Sequence, residues 1–105
     1  MKLYEATFIL PVCLAHDAAA FERKLAERFG GYSVHESRGG WINGKGDLVT
    51  DVNRTYTVAI ALASIGVLAE LLHMAKAEAV RLEQEALYFA YRGRADIIEL
   101  KGFKS

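Results

Sequence analysis

The chain has 105 residues, 52% of them hydrophobic and 25% charged, a size and balance suited to one compact domain around one core, so residues 1–105 read as a single domain. Its 13 basic residues balance its 13 acidic ones, which leaves no net field to draw the molecule onto nucleic acid or an anionic membrane surface, and neither is expected as a partner. Cys13 is the single cysteine; it excludes an internal disulfide or a cysteine-rich zinc centre, fits a reducing cytoplasm, and reads as a small buried hydrophobe.

The opening MKLYEATFILPVCLAHD is apolar, but Glu5 interrupts the run and no charged-apolar-cleavage pattern follows, so a strand over residues 3–12 is expected rather than a leader. Tyr4, Ala6, Phe8 and Leu10 alternate there with Leu3, Glu5, Thr7 and Ile9, and Pro11 closes the run. Asp17 can cap a first helix whose Ala18, Phe21, Leu25 and Phe29 share one face, with Gly30-Gly31 as a left-handed stop. Alternation over residues 32–37 and again over 55–61 predicts the second and third strands.

Ser64 is a cap for the longest helix, which should end near Glu83. Val67, Leu68, Leu71, Leu72, Ala75, Ala79 and Leu82 make its apolar stripe, while Glu70, Lys76, Glu78 and Arg81 face water. Residues 86–91 favour a fourth strand, after which Arg92-Gly93-Arg94 turns into a short tail over 95–100. The order βαββαβ predicts a ferredoxin-like α+β fold, a four-stranded antiparallel sheet with two helices on one face. Ala6, Phe8, Leu10, Val58, Ile60, Leu87 and Phe89 should face the helices. Glu5, Thr7, Ser33, His35, Thr55, Thr57, Tyr88 and Ala90 should form the open face, which favours a closed homo-oligomer of two or three copies.

Between the second and third strands lies a connection longer than the two to five residues of an ordinary hairpin, rich in glycine and polar groups. Gly39-Gly40-Trp41, Asn43-Gly44 and Gly46-Asp47 serve as turn punctuation, or as places where backbone approaches a ligand beside Trp41. Glu36, Asp47 and Asp51 surround the connection, with Arg54 and Tyr56 following. Joined by Trp41, Tyr32 and Tyr56, these carboxylates suit a cationic aromatic ligand, the charge neutralised and the rings stacked. Glu83-Gln84-Glu85 sits at the end of the long helix, the unfavourable end of its dipole for carboxylates. His16, His35 and His73 have no metal-ligand spacing, so no metal is expected, and no nucleophile elbow is present.

The run YSVHESRGGWINGKGDLVTDVNRTYTVAI, then a long helix and LEQEALYFAY, resembles the small phage-encoded S-adenosylmethionine (SAM) lyases, formerly called SAM hydrolases. The resemblance covers residues 30–91. It implies a trimeric ferredoxin-like subunit that binds SAM between neighbours and cleaves it to methylthioadenosine and homoserine lactone, without metal, cofactor or enzyme nucleophile. It implies carboxylates at Asp51 and at Glu83 or Glu85, and a binding wall of Tyr32, Trp41 and Tyr56 beside Gly40, Asp47 and Arg54. Asp51 stands where the family has glutamate. Two other readings fit the same pattern: a non-enzymatic ligand sensor of the PII-like or ACT-like kind, for which Arg38 and Lys45 are a thin phosphate-binding set, and a structural domain that pairs with itself.

Overall fold

A computed structural model describes residues 3–13, 18–61 and 65–102. The chain runs β1 (Leu3–Pro11), α1 (Ala18–Phe29), β2 (Ser33–Ile42), β3 (Leu48–Ala61), α2 (Ile65–Arg81), β4 (Ala86–Tyr91) and β5 (Arg94–Glu99). The strands form one antiparallel sheet in the order β2-β3-β1-β4-β5. The first four strands have the predicted ferredoxin-like arrangement. The sheet has five strands rather than four, because the segment expected as a tail folds back on β4 from Tyr91↔Arg94 to Ala86↔Glu99. Arg92 and Gly93 both take positive φ, 55° and 78°, which is the twist that a two-residue hairpin needs.

Each helix forms where the apolar period predicts it. Phe21 and Leu25 of α1 and Leu71, Ala75 and Ala79 of α2 are buried against Ala6, Phe8, Leu10, Val58, Ile60, Leu87 and Phe89, the full set expected to face the helices. Phe8 lies at the centre, its ring stacked with Tyr56 at 5.2 Å and Phe89 at 6.2 Å and meeting Phe21 edge-on at 6.1 Å. Gly30 ends α1 at φ 88° with its N–H on the Ala26 carbonyl, the expected left-handed stop. The proposed caps Asp17 and Ser64 lie outside the described residues, as does His16.

Two expectations about burial are corrected. Cys13 is exposed, because β1 ends at Pro11 and the chain is leaving the sheet by that point. Glu78, assigned to the wet face of α2, is only 6% exposed; its Oε1 meets Arg81 Nε at 3.0 Å, so a buried carboxylate is paired with a guanidinium one turn away that stays largely exposed.

The largest correction concerns the supposed long connection. β2 and β3 pair without interruption from Ser33↔Thr57 to Ile42↔Leu48, leaving only residues 43–47 as the loop. Asn43 organises that loop. Its Oδ1 accepts from the N–H of Lys45 (2.9 Å) and of Asp47 (3.0 Å), its own N–H donates to the Asp47 carbonyl, and Gly46 takes φ 84°. Glycines 39 and 40, read as a break, are instead spanned by Asp51 and Thr50 of the partner strand. The result is a hairpin arm that lengthens the molecule to 48 × 29 × 28 Å. It also raises the radius of gyration to 14.2 Å, against about 13 Å for a compact domain of this length.

Candidate functional site

Strand alternation sorts the candidate residues onto two faces. Because Val34 lies opposite Tyr56 and Gly39 opposite Asp51, one face of the β2–β3 ladder carries Val34, Tyr56, Arg54 and Gly40, and the other carries His35, Thr55, Gly39, Asp51 and Trp41. The first face continues into the helix-covered core. The second is the open face of the sheet.

On the open face of the arm, Trp41 Nε1–H donates to Asp51 Oδ2 at 3.3 Å. The two sit diagonally across the ladder, within reach of a long side chain. Asp51 is exposed and Trp41 retains 53% of its surface, so the pair presents a carboxylate and an indole to solvent together. Asp47 stands in the loop, four residues before Asp51, with its backbone engaged by Asn43. Gly40 opposes Thr50 on the reverse face, where a Cβ would come within 3.3 Å of Cδ1 of the exposed Leu48, a tight contact with the end of a side chain that is free to shift.

On the helix-covered face, Tyr56 is 1% exposed and donates its hydroxyl to Glu22 Oε2 at 2.8 Å, while Tyr32 donates to Glu22 Oε1 at 3.1 Å. Burial, reinforced by Glu22, raises both phenols above their ordinary value, and the neighbouring Arg54 partly opposes this at Tyr56. The structure therefore gathers Tyr32 and Tyr56 on Glu22, with Arg54 beside Tyr56. It separates them from Trp41 and Asp51 by the thickness of the sheet. Glu22 was missed from the sequence; its place beside Phe21 and Leu25, at the edge of the apolar stripe, was the available signal. Tyr32 also lines a cavity of about 560 Å³ beside Leu3, Glu5, Phe29 and Val67 at the far end of β3.

Glu83 and Glu85 lie in the connection from α2 to β4. Glu83 adopts φ 59°, a left-handed conformation rare for a side chain of this size, which ends the helix at that point. Glu85 accepts the Leu100 N–H on its carbonyl at 3.0 Å and borders a cavity of about 640 Å³ with Val80, Gln84, Glu99 and Lys101. The register Ile9↔Tyr88 and the bond from Val12 N–H to the Val52 carbonyl put this connection at the same end of the sheet as Asp51, with β1 between. Two strand spacings make that gap about 10 Å. Among the described residues, no three His, Cys, Asp or Glu side chains come together as a metal site.

No protein-family model matches the chain. No curated protein matches it. Two solved structures do match. A phage SAM lyase in complex with S-methyl-5′-thioadenosine superposes with a TM-score of 0.63 at 13% identity, over 97% of this chain and 93% of the other. A phage SAM lyase in the apo state gives 0.62 at 15% identity, over 96% and 92%. The likeness is one of fold, and it extends over nearly the whole chain.

Proposed function

We propose that this chain is a SAM lyase, which degrades S-adenosylmethionine to methylthioadenosine and homoserine lactone at a site between copies of itself, in the cytoplasm of a phage-infected cell. The observation that carries the reading is the Trp41–Asp51 pair on the open face of the arm. It offers an anion and an indole to a sulfonium, on a fold similar to that of a lyase bound to methylthioadenosine.

The reaction balances without water or an added proton. A carboxylate oxygen of the ligand attacks its own γ-carbon, the bond from that carbon to sulfur breaks, and its electron pair turns the sulfonium into a neutral thioether. The protein holds the methionine chain in the attacking conformation and supplies a field that follows the sulfur's charge. In this reading Asp51 faces the sulfonium, with Asp47 near the loop end of the same arm. Glu83 or Glu85 of an adjoining copy completes the acidic set, while Gly40 keeps the arm thin. Tyr32 and Tyr56, joined through Glu22, hold β3 in place from behind, with Arg54 beside Tyr56. The homo-oligomer, a trimer in this reading, is supported by exposed apolar side chains on both faces of the arm: Trp41 on one, Ile42, Leu48 and Val52 on the other.

The test is incubation of the purified protein with SAM in ordinary and 18O-labelled water, followed by mass spectrometry. Methylthioadenosine with initially unlabelled homoserine lactone supports the lyase. Labelled homoserine from the outset would indicate hydrolysis, and intact SAM would leave the sensor or self-pairing reading, the latter favoured by the same exposed apolar arm.

A further inference from the structure

We infer that Gly39 and Asn53, with Trp41 and Asp51, form a notch on the open face of the arm that accepts the S-methyl group of a sulfonium and discriminates it from an uncharged thioether. This rests on the SAM reading above and extends it to residues that the reading does not use.

The notch follows from the ladder. The residue directly across from Asp51 is Gly39, so the place where a cross-strand side chain would cover the carboxylate is vacant. Asn53 lies on the same face, two residues along β3, and its Nδ2 stands 3.6 Å from the point that a Gly39 Cβ would occupy. From the other side Trp41 reaches in, with Nε1 on Asp51 Oδ2. The gap is thus floored by glycine backbone and bounded by a carboxylate, an indole and an amide.

The chemistry of that boundary selects the ligand. Arg38 and Arg54 belong to the reverse face by strand alternation, and among the described residues Asp51 has no ion-pair partner. Trp41 occupies Oδ2 of Asp51, which leaves Oδ1 for a ligand. An alkylated onium centre has no N–H to donate, so a charge, an aromatic ring and an amide dipole recognise it better than hydrogen-bond acceptors alone. The width of the gap, one missing side chain, suits a methyl group. Asn53 has no side-chain hydrogen bond among the described residues, so its amide oxygen is available to turn toward the cation.

Gly39 also makes the idea testable, because its φ is not positive and the nearest foreign atom to an added Cβ is at ordinary contact distance. Gly39→Ala therefore folds, yet fills the floor. Trp41 is the single tryptophan, so its fluorescence reports on the notch directly.

The experiment titrates wild type, Gly39→Ala and Asn53→Ala with SAM and with S-adenosylhomocysteine, the thioether lacking the methyl group and the charge, reading Trp41 fluorescence, with circular dichroism to verify folding. The expected result is that wild type prefers SAM. Gly39→Ala should lose about tenfold or more in SAM affinity, about 1.4 kcal/mol, with S-adenosylhomocysteine changed much less, and Asn53→Ala should show the same pattern more weakly. Equal loss of both ligands, or unchanged SAM binding in a folded Gly39→Ala protein, overturns the notch while leaving the lyase standing if wild type still turns over SAM. Wild-type protein that neither binds nor cleaves SAM overturns both.

Discussion

Tyr56, among the largest fully buried side chains of the core, ends on a carboxylate: its hydroxyl donates to Glu22 Oε2 at 2.8 Å, while Glu22 Oε1 accepts from Tyr32. The phenol and its acceptor tie β3 to α1 at the point where the ladder leaves the helix layer for the arm. Replacing Tyr56 by Phe keeps the stacking on Phe8 but strands half of the Glu22 acceptor. It should cost about 1–2 kcal/mol at neutral pH, measured by urea denaturation.

The same pair makes stability sensitive to alkali. Both phenols are raised above the ordinary 10.0, by burial first and by Glu22 second. Below pH 10 they are protonated in the folded and unfolded chain alike, and their contribution is fully present. Above it the unfolded chain releases protons that the folded chain keeps, so stability falls as pH rises. Alkaline titration followed by tyrosinate absorbance should show part of the absorbance change arriving with unfolding. Tyr56→Phe should reduce that part, and an unchanged profile would contradict the assignment.

Glu83 separates stability from activity. At φ 59° a glutamate is held where glycine is preferred, so Glu83→Gly should stabilise the fold by about 1 kcal/mol, unless the side chain is supporting something else. If its carboxylate serves the sulfonium, Glu83→Gly and Glu83→Gln both lower turnover by more than about tenfold, and the former does so in a protein of higher Tm. Gln variants with full activity would remove Glu83 from the site and leave Glu85 to be tested alone.

Asp51 and Trp41 can be dissected at constant shape. Asp51→Asn retains an oxygen for the indole N–H and removes only the charge. Turnover should fall by more than about tenfold with little change in Tm. Trp41→Phe keeps a ring but frees the carboxylate to rotate, and should give a smaller loss concentrated in kcat. Equal activity in both variants would place the chemistry elsewhere.

The arm gives a prediction about assembly. Ile42 is 64% exposed and Leu48 68%, and they lie opposite one another on the reverse face. Ile42→Ser with Leu48→Ser should therefore lower the mass seen by light scattering toward the single chain, while the thermal stability of that chain is kept. A monomeric wild type would remove the need for a partner at this surface.

The four-strand frame, both helices and all seven helix-facing core residues were legible because each rests on periodicity that packing reinforces. What escaped notice had weak local signals. Residues 38–47 contain four glycines and one asparagine, and propensity alone ends a strand there; the ladder continues because the two strands of the arm pair with each other as far as Ile42 and Leu48. β5 was read as a tail for the same reason, since its strand character depends on the edge offered by β4. Trp41 and Asp51 were both picked out, but their shared face became clear only once the register was fixed. The separation of Tyr56 from Trp41 follows from the same register, since moving by an odd number of residues along a strand reverses the face.

The length of the arm has an electrostatic consequence. Where β2 and β3 extend past the helices, water reaches both sides of a sheet one backbone thick. In bulk water a carboxylate attracts a cation 4 Å away by about 1 kcal/mol, and at the effective dielectric near a protein surface by about 4 kcal/mol. Asp51 on an uncovered arm stands near the first figure, and a second wall moves it toward the second. In the lyase reading, the catalytic field becomes a property of the covered arm, and turnover per chain should decline on dilution as that cover is lost.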